Sequence, residues 1–530
     1  MVNKSLEANE DILNKNCNKI TKLEEGYLKT EEIKKTEVKF SQKLLSKLPS
    51  ISESKQYVAI CICVFCLWGT SWFLFKDLVL PGGYVFHMTA LILAGYVFGH
   101  TLERCTTINP VVGMTLMGVL CKSFGSTNFL QNPSADKIDF HLRRIYPVII
   151  LTRGPLTWDW EYIKSNSVKV FSLATLPWIA ECLSTAFFTH ILLGFPWYWG
   201  LHLGAITSSV SPAIIVPTTV GFSAKGLGLK NQIALLVANA GGLDTAFTEG
   251  MFGVINSAMF YQSTPIYRIV KAVFAIFVGI GLGVTWGVLI DVLPDHNDLY
   301  APTIRSLLIF AGGIFFSYAG GYLGWGGTSG VAIMVCAGAA ATRWSRRGWP
   351  INNNPVAEVY KLLWRIFEPM LFTLSGYFFE VSLMTTRDFG LIVGCIFAAL
   401  SVRMLTAFLV ATVNQLPTKE SIFIAITWMP KAIVEAVLVR VATDSLWTEG
   451  VTPKDQWIAQ QHSNIIVIAI LITSTLGSIL TTVCGPILLS RDGRVSPKDN
   501  QPSHPPVTPT TSEFDHIKNT IDSIQYIDAI

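Results

Sequence analysis

Ser208-Ser209-Val210-Ser211-Pro212-Ala213-Ile214-Ile215-Val216-Pro217 and Trp428-Met429-Pro430-Lys431-Ala432 each set proline inside an apolar run of membrane-spanning length. Proline removes an intrahelical hydrogen bond and crowds the preceding turn. Ser211, Pro212 and Pro217 in the first run, and Pro430 in the second, therefore predict interrupted helices. Backbone groups freed inside hydrocarbon need another partner, often an ion, a water or a side chain. Either break alone also fits a plain proline kink. Two breaks about seven helices apart point instead to inverted repeats with a substrate site near the membrane midplane.

The composition agrees with a membrane setting. Of 530 residues, 51% are hydrophobic and 14% charged, with a mean hydropathy of +0.45. Soluble domains carry about 25% charged residues, so a cytosolic globular protein is excluded and lipid must cover the outside. The charges concentrate at the ends: residues 1–55 hold 11 Lys and 9 acidic residues, whereas 56–490 hold 25 basic and 21 acidic. This divides the chain into an N-terminal tail (1–55), a membrane domain (56–490) and a proline-rich C-terminal tail (491–530) expected to be largely disordered. The net charge of +4 gives no reason to expect nucleic acid. Cys63 and Cys66 form a lone CxxC without a second pair, so the cysteines read as small buried hydrophobes. The first 55 residues are too acidic for a transit peptide and lack the apolar core of a cleaved signal.

Apolar runs predict an all-α polytopic protein with about fourteen transmembrane helices. They fall near 56–77, 82–100, 106–122, 141–155, 168–193, 196–221, 231–260, 267–292, 303–323, 328–343, 360–383, 389–413, 419–440 and 463–489. An even number puts both tails on one side. Lys164 and Lys169, Lys225 and Lys230, and Arg343, Arg346 and Arg347 lie in even-numbered loops, which makes both termini cytoplasmic. Lys122, Lys137, Arg143 and Arg144 run against that bias.

An ionisable group in hydrocarbon costs at least about 2.5 kcal/mol, so each one needs a reason. The candidates are Glu181, Asp244, Glu249, Glu380, Arg403, Lys431, Glu435 and Arg440. Asp244 follows Gly241-Gly242, which lets another backbone come close. An aspartate at mid-membrane can alternate between a proton and a cation; its structural reading is an ion pair with Lys431. Glu181 and Arg403 read as a buried structural pair, since arginine keeps its proton. Lys431 and Glu435 stand at i and i+4 and are expected to face each other. Glu249 is expected near a helix end, reaching water; Glu380 is expected to neutralise a neighbour or lie near an interface, and Arg440 to reach the outer interface. His87, His190 and His202 show no metal-ligand spacing, and neither a P-loop nor a nucleophile elbow is present. No cofactor and no enzymatic activity are expected.

Together, the two proline segments and Ala240-Gly241-Gly242-Leu243-Asp244 resemble the sodium/hydrogen exchangers of solute carrier family 9, subfamily B. Gly113-Met114 and Glu380-Val381-Ser382 also fit, and the likeness covers about 80–490. It implies a homodimer in membrane lipid, two crossed broken helices in each protomer, and exchange of Na⁺ or Li⁺ for H⁺ by alternating access. The likeness, with the basic loops, also implies a multi-pass protein of the cell membrane. By position it makes Asp244 the first of two ion-site aspartates, Arg403 the nearby base, Glu181 its acidic partner and Lys431 the lysine of the second break. The second aspartate is Thr245 here, a neutral hydroxyl in a tentative Na⁺ site with Asp244. Losing that charge beside Arg403 and Lys431 makes proton–cation competition harder, and Glu435, where glutamine is usual, is expected to restore it. Proton-coupled chloride transport and a transport-inactive family member stay open as alternatives.

Overall fold

A computed structural model describes residues 51–125, 133–260, 264–296, 298–325, 327–350, 353–446 and 452–491. The first fifty residues and those from 492 on, which include nearly all of both expected tails, lie outside the described residues. The described secondary structure is helical, with no strand beyond one isolated bridge, Leu227 to Arg491. Residues up to His87 and those from Met88 form two separate compact units.

In the first unit, α1 (Ile51–Phe75) exposes Ile62, Phe65, Phe73 and Leu74. Such a face suits lipid rather than water. The chain then enters α2 (Tyr84–Cys105), whose later turns belong to the second unit.

The second unit continues with α3 (Pro110–Phe124), α4 (Pro133–Arg153), the short α5 (Trp160–Ser165) and α6 (Ser167–Leu193). A broken pair follows, α7 (Trp197–Thr207) and α8 (Pro212–Ala224), and then α9 (Ile233–Phe260). Next come α10 (Pro265–Val292), α11 (Ala301–Tyr322), α12 (Thr328–Ser345), α13 (Pro355–Tyr377) and α14 (Thr386–Val413). The second broken span is α15 (Thr418–Thr427), α16 (Ile433–Leu438) and α17 (Val441–Ser445), and α18 (Pro453–Leu488) closes the series.

Every expected apolar run coincides with a helix or a broken set, but only seven described segments are long and apolar enough by themselves to cross a membrane. The others fall short in length or carry charge, as α4 does with Asp136, Asp139, Arg143 and Arg144. Hydropathy also misses polar first turns: the fourth helix begins at Pro133 and the last at Pro453.

The order α6, broken span, α9 recurs as α14, broken span, α18. Helices α6 and α14 pack antiparallel, since Glu181 meets Arg403 while Ser172 meets Asn414. The two triplets are therefore inverted relative to each other, as the paired breaks lead one to expect.

Helix α10 packs against α12 through a glycine edge. A Cβ added at Gly279, Gly283 or Gly287 would lie 2.8, 2.6 and 2.7 Å from the carbonyl oxygens of Thr328, Ala332 and Cys336. Both series advance four residues at a time, so the helices run parallel at a backbone separation that only glycine permits. Gly283→Leu is expected to destabilise the fold by at least about 1–3 kcal/mol through overpacking. A lowered thermal midpoint of the purified chain checks this, and a wild-type midpoint refutes it.

Candidate functional site

Pro212 opens α8 and cannot continue α7, so Ser208–Ser211 leave helical geometry, with Ser211 extended at φ −98°, ψ 100°. Around Pro430, residues 428–432 do the same, and Ala432 has φ −155°. Pro217 departs from expectation. It sits inside α8 without ending the helix, at the cost of one intrahelical hydrogen bond, as a kinked rather than broken helix allows.

The freed backbone groups find partners across the breaks. The Ser211 N–H donates to the Pro430 carbonyl at 2.9 Å, stitching one break to the other. The Val210 N–H donates to Asp244 Oδ1 at 2.8 Å, and the Lys431 N–H donates to Thr473 Oγ1 at 3.1 Å. A side chain of the long helix that follows each broken span thus holds its break. Arg403 serves both: Nε donates to the Trp428 carbonyl at 2.7 Å, and Nη1 donates to the Ser208 carbonyl.

Arg403 also gathers the acids. Nη1 donates to Glu181 Oε2 and Nη2 to Asp244 Oδ2, both at 2.9 Å. Lys431 Nζ lies 2.7 Å from Glu181 Oε1. All four side chains are at most 2% exposed. Two bases and two acids form a neutral buried cluster, and neutrality is what makes such burial tolerable.

The pairing differs from expectation in two places. Asp244 pairs with Arg403 rather than Lys431, and Lys431 pairs with Glu181 rather than Glu435. The i, i+4 relation of Lys431 and Glu435 requires helix between them, and the non-helical Ala432 removes it. Glu435 is fully buried, and no donor from another described residue reaches either carboxylate oxygen. Thr245 is also buried, its hydroxyl donating to the Gly241 carbonyl at 3.2 Å.

Peripheral charges settle differently. Glu249 is buried instead of reaching water, because α12 packs close to it at Gly330. Glu380 lies 3.4 Å from Lys122. Arg440 sits 2.6 Å from Asp136 and over the Phe378 ring, beside Arg143, which bonds Asp139 and Asp444. That network offsets part of the charge that ran against the topology bias. His202 meets Asn256 at 3.1 Å and His190 the Phe195 carbonyl at 2.7 Å, and among the described residues no cluster has the makings of a metal site.

Two cavities flank Asp244 along α9. One, of about 750 Å³, is walled by Leu243, Ala246, Trp158, Lys164, Arg343 and Arg347. The other, of about 420 Å³, is walled by Glu249, Phe252, Asn256, Arg144 and Asp444. Asp244 itself opens to neither. Thr473 and Ser474, which hold the Lys431 backbone, were not anticipated. The repeat offers a signal for them, since Thr473 occupies in the second triplet the place of Asp244 in the first.

Residues 88–484 match the family model described as sodium/hydrogen exchanger, transmembrane. The chain belongs to the sodium/hydrogen exchanger family. That is a family of cation/proton exchangers, transporters rather than enzymes. The human protein named sodium/hydrogen exchanger 9B2 is 28% identical over 434 residues, 81% of this chain and 79% of that protein. Human sodium/hydrogen exchanger 9B1 is 27% identical over 436 residues, 81% of this chain and 83% of that protein. The fold resembles the sodium proton antiporter MjNhaP1 from Methanocaldococcus jannaschii at pH 8, with TM-score 0.60 and 21% identity over 76% of this chain and 98% of that one.

In this exchanger-family fold, removing one member of the buried cluster should cost far more than removing a neutral pair. Glu181→Ala strands Lys431, leaves Arg403 with Asp244 as its one carboxylate partner, and is expected to destabilise by about 3–5 kcal/mol. Adding Lys431→Met should recover part of that loss. Thermal midpoints of the two variants check it, and an equal or lower midpoint in the double variant refutes the pairing.

Proposed function

We propose that the chain is a secondary active antiporter that exchanges Na⁺ or Li⁺ for H⁺ by alternating access, with Asp244 as the exchange carboxylate. The observation that carries this reading is a fully buried aspartate at the crossing of two broken helices, lying between two cavities and held by Arg403. A cation or proton binds Asp244 by displacing Arg403, which falls back on Glu181 and the two break carbonyls. Arg403 acts as a removable counter-ion, and Glu181 with Lys431 fixes the frame around it.

The load adds one positive charge to a neutral cluster, and Glu435 is the group that offsets it. Partnerless in this state, it holds a proton here and releases it when a cation occupies Asp244. Thr245 contributes a neutral oxygen, consistent with its position next to Asp244. The chloride reading loses its motive because both bases are engaged by carboxylates. The exchanger works as a homodimer in the cell membrane with both termini cytoplasmic; the basic wall of Lys164, Arg343, Arg346 and Arg347 then faces inward.

Proteoliposome flux under an imposed pH gradient tests the proposal, with Na⁺, Li⁺ and Cl⁻ supplied in turn. The expected result is Na⁺- or Li⁺-driven proton movement that Asp244→Asn abolishes. A response to Cl⁻ alone, or none from folded protein, overturns it. In the same assay, Glu435→Gln is expected to lower the maximal exchange rate at least about tenfold, an added barrier of about 1.4 kcal/mol. Thr245→Asp is expected to change the apparent cation affinity; identical curves would remove the assigned role of Thr245.

A further inference from the structure

Helix α9 carries another carboxylate, which the exchange reading leaves unused. Glu249 lies about 7.5 Å beyond Asp244 along the axis and about 140° around it, so the two serve different surfaces. Its side chain is 9% exposed and lines the cavity of about 420 Å³ beside Asn256, Ser257, Gly327 and Ser329. Gly330 of α12 faces it: a Cβ there would lie 2.7 Å from Glu249 Oε2, so the room around the carboxylate depends on that glycine.

No described residue forms a hydrogen bond or ion pair with the Glu249 side chain. The other charged groups of the wall are committed elsewhere. Arg143 of α4 bonds Asp139 and Asp444 of α17, and Arg144 donates to the Ser317 carbonyl at 3.0 Å. From α7, His202 is bonded to Asn256, and α11, α12 and α16 add no titratable side chain to the lining. A buried carboxylate without a partner does not keep its charge alone. It carries a proton, or it surrenders that proton to a cation admitted through the cavity. The wall also includes Ser257 and Ser329, whose hydroxyls are oxygens of the kind hard ions prefer.

We propose that Glu249 is a second cation-for-proton site, separate from Asp244, at which a monovalent cation from the 420 Å³ cavity displaces a proton. As a staging post for transport it rests on the exchange reading of Asp244; its binding chemistry does not.

The test is a Na⁺ titration of thermal stability at constant ionic strength, with choline as the replacement cation, on the full chain in detergent at two pH values. In the intact chain the half-saturating Na⁺ concentration is expected to rise as pH falls. Glu249→Gln is expected to raise that concentration about tenfold, or about 1.4 kcal/mol, and to flatten its pH dependence. Gly330→Ala, which crowds the carboxylate without removing it, should shift the curve the same way and carries the test if the glutamine variant does not fold. Wild-type curves from these variants, or no Na⁺ effect in the intact chain, overturn the proposal. Flux through Asp244 is measured separately. A Glu249-dependent Na⁺ shift without exchange sinks the transport reading alone, and intact exchange with an unmoved shift sinks this one alone.

Discussion

The guanidinium of Arg403 is the constraint on which the rest of the centre depends. Its donors reach the Ser208 and Trp428 carbonyls, one at each helix break, and the carboxylates of Glu181 and Asp244. Two helices can lose backbone bonds inside a membrane because one fixed, permanently charged fork replaces them. Lysine would supply the charge without the planar geometry that satisfies four acceptors at once. The breaks require a base, the base requires two acids, and one acid is thereby set at the crossing where an ion can be exchanged.

The cavities give this centre its context. Along α9, Leu243 and Ala246 face a basic vestibule, and Glu249, Phe252 and Asn256 face a mixed one, with Asp244 sealed between them. The carboxylate is thus closed off while each cavity comes within about a turn and a half of it along α9. The glycine edge joining α10 to α12 keeps part of the surrounding wall at one register.

Much of this was legible in the sequence, and the failures have physical causes. Glu181, Asp244, Arg403, Lys431 and Glu435 stood out because ionisable groups in apolar runs are costly. The Glu181–Arg403 pair was legible too, but the further partners of Asp244 and Lys431 were not. The i, i+4 rule joined Lys431 to Glu435, and the non-helical backbone at Ala432 cancels it. Arg440 was expected near an interface, and its partners Asp136 and Asp139, about three hundred residues away, lay beyond any local rule. Glu249 was expected to reach water, but α12 comes close at Gly330, a contact between distant helices that no local rule shows. Pro217 shows the limit of reading every proline as a break.

The stitch from the Ser211 amide to the Pro430 carbonyl fixes where the machine can bend. Two interrupted helices standing alone would be two separate hinges, but here each break is bonded to the other. The two breaks are thus held to each other by that bond and by Arg403, which reaches a carbonyl in each. The backbone is cross-braced at the points where its helices are interrupted.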